Sequence, residues 1–161
     1  MKIGIIGAGD VGGTLGMRWR QKGHEIMFGI RNRQSQKVQK LIELDKNLQF
    51  GEIRETVTFG DVIVFAVPWA SVEETILIAG NLTDKILIDP TNPLTPDLKG
   101  LALENTSAAE TMSNLAKSAK VVKAFNMIGA KTLNNLIYDS QRADLFICGD
   151  DSHAKQIVRE L

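Results

Sequence analysis

The feature that most constrains this chain is the apolar run Ile3-Gly4-Ile5-Ile6, which passes directly into Gly7-Ala8-Gly9-Asp10-Val11-Gly12 and then into a segment with helical spacing. Strand, glycine turn and helix in that order predict a phosphate loop. Gly7 permits the tight turn, Gly9 lets the backbone approach a pyrophosphate, and Gly12 lets helix and strand pack closely. Backbone N–H groups at the helix start then hold phosphate oxygens, helped by the helix dipole. Gly7, Ala8, Gly9, Asp10, Val11 and Gly12 are therefore candidate cofactor-binding residues. Gly13 and Gly16 read as helix-to-sheet packing. The Asp10 side chain would repel a pyrophosphate, and it is expected to cap the helix instead.

Short runs rich in Val and Ile recur at residues 3–6, 25–28, 62–67, 86–88, 121–124 and 145–148. They are too continuously apolar for strands with one wet face, and predict a parallel sheet covered on both sides. Helix-like segments at 11–22, 35–44, 70–82, 108–119 and 129–137 alternate with them. That alternation implies βαβ units with right-handed crossovers. The expected fold is α/β, a Rossmann-type doubly wound and mostly parallel sheet, in one domain over residues 1–161. Ser107-Ala108-Ala109-Glu110 reads as a capping box. Residues 151–161 start a helix that stops without a cap, so a missing carboxyl-terminal part is expected.

Composition narrows the function. The 161 residues are 43% hydrophobic, the share of a globular chain, and the 19 basic and 19 acidic residues cancel. Zero net charge argues against a nucleic-acid binder, which needs a basic face, and against a polybasic membrane patch. No signal peptide or membrane-span length is read, and a cytoplasmic location is expected. The single cysteine, Cys148, forms no internal disulfide, which suits a reducing compartment. Its apolar setting predicts a buried strand and a packing role. His24 and His153 accompany neither a metal-ligand spacing nor a nucleophile motif, so no metal is expected.

The second strand decides which cofactor is expected. An NAD-binding unit usually carries an acid there to bond the ribose hydroxyls. This chain has Phe28-Gly29-Ile30-Arg31-Asn32-Arg33, with no acid. A carboxylate would repel a 2′-phosphate by roughly 1 to 4 kcal/mol at contact. Arg31 can instead grip it with a forked pair of hydrogen bonds and stack on adenine. NADP(H) is thus expected, with Ile30, Arg31, Asn32 and Arg33 beside it and Lys37 as a further contact.

Ligands of doubly wound sheets lie across the carboxyl ends of the strands. The loops there are Val67-Pro68-Trp69, Asp89-Pro90-Thr91-Asn92-Pro93 and Phe125-Asn126-Met127-Ile128-Gly129. Val67, Pro68, Trp69, Asn92 and Asn126 are expected to line the crevice. Trp69 has an alternative role as a cover for the helix below. Asn126 is the one candidate for contacting a carboxamide or substrate carbonyl; no acid–base residue is assigned. Hydride transfer between two redox rings needs alignment more than an acid–base pair.

Taken together, these motifs resemble the NADPH-dependent oxidoreductases related to the archaeal enzyme that exchanges hydride between NADP and the deazaflavin coenzyme F420. The resemblance rests on the glycine loop, Gly29-Ile30-Arg31, Val67-Pro68-Trp69, Asp89-Pro90-Thr91-Asn92-Pro93, Val121-Val122-Lys123-Ala124-Phe125-Asn126 and Cys148-Gly149-Asp150-Asp151. It implies that Arg31 holds the 2′-phosphate and that Pro68, Trp69 and Asn126 lie near the nicotinamide. It also implies a second redox cofactor or small acceptor, deazaflavin- or flavin-like, and a homodimer. The chain departs at Ile30, where the family often has Ser or Thr. Members also continue for a few dozen residues that contribute to substrate pocket and dimer contact. Two other readings remain open: a non-catalytic NADP-binding sensor or scaffold, and an imine reductase of the pyrroline-5-carboxylate reductase type.

Overall fold

A computed structural model describes residues 1–138 and 140–161, with the side chains of all but Asn134, Tyr138 and Arg142. The elements are β1 (Lys2–Ile6), α1 (Asp10–Gln21), β2 (Glu25–Gly29), α2 (Gln36–Leu44), β3 (Gln49–Gly51), α3 (Ile53–Phe59) and β4 (Val62–Phe65). A single 3-10 turn, Trp69–Ser71, leads into α4 (Val72–Ala79). Then follow β5 (Ile86–Asp89), α5 (Ala108–Leu115), β6 (Lys120–Lys123), α6 (Ala130–Asn134), β7 (Ile137–Tyr138), β8 (Gln141–Arg142) and α7 (Ser152–Glu160).

β1 to β6 form one parallel sheet in the order β3-β2-β1-β4-β5-β6. The order reverses between β1 and β4, which makes the crevice above that junction the natural ligand site. This is the expected α/β, Rossmann-type architecture. Alternate residues of each strand feed opposite cores. Val62, Val64, Ile86 and Ile88 pack with Leu15 and Trp19 of α1 and Val158 of α7. Ile63, Phe65 and Leu87 pack with Val57 of α3, Ile76 of α4 and Met112 of α5. Both faces are dry, which is why the strands read as continuous apolar runs. Each fully buried Ile or Phe contributes roughly 1.5–3 kcal/mol through loss of apolar surface to water.

Several expected boundaries shift. β4 ends at Phe65 rather than at 67, and α4 begins only after the 3-10 turn. α4 stops at Gly80, whose φ of 76° a side-chain-bearing residue rarely adopts. α5 ends at Leu115 and α6 at Asn134, both earlier than periodicity suggests. β3 and α3 have no counterpart among the expected elements. The Ser107–Glu110 box is present: Glu110 N–H donates to Ser107 Oγ at 3.1 Å, and Ser107 N–H to Glu110 Oε2 at 2.8 Å.

Two expectations are corrected. The run 145–148 does not form a strand; a single antiparallel bridge joins Cys148 to Lys123. Leu145 and Phe146 stay exposed, and so does Cys148, which therefore has no packing role. An apolar run is buried when it has neighbours on both sides, and this one bridges β6 only at Cys148, with Ile147 half-buried against the core. Asp10 is not the cap of α1 either. Gly9 holds the N-cap position, and Asp10 is the first helical residue.

Candidate functional site: the cleft at the β1–β4 junction

Gly7 leaves β1 with φ of 101° and donates its N–H to Gly29 O at 2.9 Å, tying the loop to the end of β2. A Cβ on Gly7 would lie 2.3 Å from Ala66 O, and one on Gly12 would lie 2.1 Å from Gly7 O. These two glycines are therefore demanded by the packing of loop, α1 and β4. Gly9 differs: a Cβ there would meet nothing within 4 Å. The crest of the loop faces open space, and α1 leaves the N–H groups of its first turn without intrahelical acceptors. An open cradle rimmed by amide donors fits a pyrophosphate.

The cleft above the loop has a volume of about 480 Å³, within the range of small-molecule sites. Gly7, Ala8 and Gly9 form one wall, Ile30, Arg31 and Asn32 a second, and Val67 and Pro68 a third. Among the described residues no carboxylate lines it, and the cations that do are Arg31 and Lys37. Arg31 is exposed and makes no ion pair among the described residues, so its guanidinium is available to an anion. Lys37 is paired with Asp10 at 2.9 Å.

Other candidates lie apart from this cleft. Val11 is half-buried against the core and Gly12 is buried beneath the loop. Arg33 stacks its guanidinium over the Phe50 ring, 5.6 Å from the centroid, and does not line the cleft. Trp69 is half-buried, packs against the core that includes Val72 and Ile76 of α4, and is likewise absent from the lining. Sequence reasoning missed Ser35 and Thr75, which do line it. Ser35 caps α2 by accepting from Val38 N–H at 3.4 Å, a role that a Ser before a helix signals. Thr75 reaches the cleft from the middle of α4 and carries no local signal.

Asn92 and Asn126 meet at the ends of the neighbouring strands β5 and β6. Asn92 Nδ2 donates to Asn126 O at 2.9 Å, and Asn126 Nδ2 donates to Asn92 Oδ1 at 3.3 Å. Beneath them lies a buried polar knot. Asp89, fully buried, accepts from Lys123 Nζ at 2.8 Å through one carboxylate oxygen. Its other oxygen accepts from Thr91 N–H at 2.8 Å and from Thr91 Oγ1 at 2.7 Å. Lys123 Nζ also donates to Thr91 O at 2.5 Å.

With this geometry, residues 2–93 match the family model for the coenzyme F420-dependent NADP oxidoreductases. The chain belongs to that family. Membership agrees with the resemblance carried by the sequence motifs, and the family's members are NADP-dependent oxidoreductases. Over 160 residues the chain is 33% identical to metalloreductase STEAP3 of Rattus norvegicus, covering 99% of this chain and 31% of that protein. Over 176 residues it is 28% identical to the F420-dependent NADP reductase of Methanothermobacter thermautotrophicus, covering 100% of this chain and 75% of that protein. A crystal structure from Arthrobacter sp. FB24, provisionally assigned as an F420-dependent NADP-reductase, superposes with a TM-score of 0.89 at 24% identity. It covers 99% of this chain and 78% of that one, and at that identity the likeness concerns the fold. The chain thus spans under a third of the metalloreductase and about three quarters of the F420-dependent reductase. Among the described residues, no helix is long and apolar enough to cross a membrane. No group of three or more His, Cys, Asp or Glu residues among them could hold a metal ion.

Proposed function

We propose that the chain binds NADP(H) and works as an oxidoreductase that moves hydride between it and a second redox cofactor of the deazaflavin or flavin type. The observation that carries this reading is Arg31, a cation with no ion pair among the described residues, in a cleft that none of their carboxylates lines, beside an open glycine loop. The loop from Gly7 to Gly12 would hold the pyrophosphate through the backbone N–H groups at its crest, the Gly7 N–H being already given to Gly29 O. Arg31, flanked by Ile30 and Asn32, would hold the 2′-phosphate, with Lys37 nearby. Arg33 would add positive potential from its seat on Phe50 rather than a direct contact. NADPH bound there would supply the hydride. Val67 and Pro68 would wall the cleft toward the reacting ring. Asn92 and Asn126, further along the same edge of the sheet, would fix that ring's carboxamide.

Family membership and the similarity to both metalloreductases and F420-dependent reductases support this reading; the acceptor class is inferred from what those relatives are named for. A lone cysteine suits a cytoplasmic setting, and a homodimer would suit the family resemblance. The test is a fluorescence titration with NADPH and NADH, followed by NADPH-oxidation assays with oxidised deazaflavin, oxidised flavin and ferric complexes as acceptors. Selective NADPH binding with turnover of one acceptor is expected. Equal affinity for the two nucleotides would remove the NADP(H) assignment. Selective binding without turnover of any acceptor would point to a nucleotide sensor, and turnover of a cyclic imine to an imine reductase.

A further inference from the structure

We propose that Asp89 and Lys123 are positioning residues for the nicotinamide end of the site. Their buried ion pair holds the loops after β5 and β6 at the separation that lets Asn92 and Asn126 present one joint amide surface to a primary carboxamide. The proposal rests on the NADP(H) reading above and adds to it residues that never touch the cofactor.

Asp89 and Lys123 are partners in the parallel register of β5 and β6, each the last residue of its strand. Their side chains are 0% and 14% exposed. A buried ion pair is weak evidence for stability, because well-packed apolar residues often replace one at no loss. The clue lies in what this pair fastens. Three of the four hydrogen bonds of the knot end on Thr91, the residue immediately before Asn92. On the other loop, Ala124 N–H donates to Asp89 O at 3.2 Å, and Lys123 exchanges two backbone bonds with Cys148. Both loops therefore leave the sheet from fixed points one residue short of their turns.

Phe125 adds a second, independent observation. Its φ is 67°, a left-handed backbone for a bulky residue, and strain of this kind persists only where the surroundings over-determine it. The Phe125 ring packs edge-on against Trp19, with centroids 5.8 Å apart and planes at 68°. The left-handed residue turns the chain so that the next carbonyl, Asn126 O, meets Asn92 Nδ2. The pair of side-chain amides still has one N–H on each nitrogen and the Asn126 Oδ1 to offer. A primary carboxamide, with one acceptor and two donors, is complementary to that set.

The test compares binding of NADPH with binding of 2′-phospho-ADP-ribose, which has the phosphates and adenine but no nicotinamide. Lys123→Met alone would leave a buried carboxylate without a counter-charge and confound folding with binding. The Asp89→Asn, Lys123→Met double variant carries neither charge and keeps an acceptor for Thr91. For the double variant, 2′-phospho-ADP-ribose should bind within about twofold of wild type, while NADPH weakens about five- to tenfold. Equal changes for the two ligands, or none, would overturn the positioning role while leaving NADP(H) binding intact. Wild-type protein that binds neither ligand would overturn the NADP(H) reading and this proposal with it.

Discussion

The Asp10 carboxylate lies 2.9 Å from the Lys37 ammonium, joining the first turn of α1 to the first turn of α2. Both side chains are more than half exposed, so the pair itself adds little stability. Its effect is on binding. Lys37 is one of two cations among the described residues that line the cleft, and Asp10 competes for it with any phosphate placed there. Asp10→Asn should therefore tighten NADPH binding about two- to fivefold, and the gain should shrink as salt screens the charges. Titrations at low and high ionic strength check this; weaker binding by the variant would contradict it.

On the proposed reading, Arg31 carries the discrimination between nucleotides. Its loss removes charge-assisted hydrogen bonds of roughly 1.5–3 kcal/mol, a factor of about 10 to 100 in affinity. Arg31→Ala should raise the dissociation constant of NADPH by that factor and leave that of NADH nearly unchanged. The same drop for both nucleotides would mean that Arg31 acts on the fold or on the pyrophosphate instead.

Gly9 and Gly12 should respond differently to the same substitution. At Gly12 a methyl group would lie 2.1 Å from Gly7 O and 2.9 Å from Ala66 Cβ. Gly12→Ala should cost about 2–4 kcal/mol and lower Tm by roughly 5–15 °C. At Gly9 a methyl group meets open space. Gly9→Ala should leave Tm within about 2 °C but weaken NADPH binding about tenfold or more, because it fills the cradle. Thermal unfolding and titration of both variants separate a glycine kept for packing from one kept for a ligand.

The capping box of α5 makes part of the stability depend on pH. The Ser107 backbone N–H, together with the Ser107 and Thr106 hydroxyls, holds the Glu110 carboxyl below its usual value of 4.5. A carboxyl with a lower folded than unfolded pKa stabilises the folded chain fully above the unfolded value, and the contribution is lost as pH falls through the folded value. Glu110→Gln should thus be less stable than wild type at about pH 7, with the gap closing below pH 4.5. Ser107→Ala should cost roughly 1 kcal/mol at neutral pH. Urea unfolding of the three proteins across that range measures both.

Some elements were legible because one local signal sufficed. The glycine spacing after β1 announces loop and helix together, and the Ser107–Glu110 box marks the start of α5. β3 and α3 were not legible. β3 has three residues with one large apolar side chain, and α3 opens at Glu52, not a favoured N-cap type, although Glu55 bonds back to its N–H at 2.9 Å. The 145–148 run misled in the opposite direction. Its apolar residues signal strand propensity, but only neighbours distant in sequence decide whether a strand finds partners.

By itself the sequence determined the layered α/β architecture and the glycine loop, and it raised the expectation of a 2′-phosphate ligand, since each follows from spacing or residue type within a few positions. Only the tertiary structure decided that Asp10 faces Lys37, that Arg33 sits on Phe50 and Trp69 against the core rather than in the cleft lining, and that Asp89 meets Lys123 across 34 residues of chain. The reason is physical. Periodicity and glycine placement act through the local backbone, whereas the meeting of charged side chains depends on the register of parallel strands. That register is set by packing on both faces of the sheet, and no segment of the chain encodes it alone.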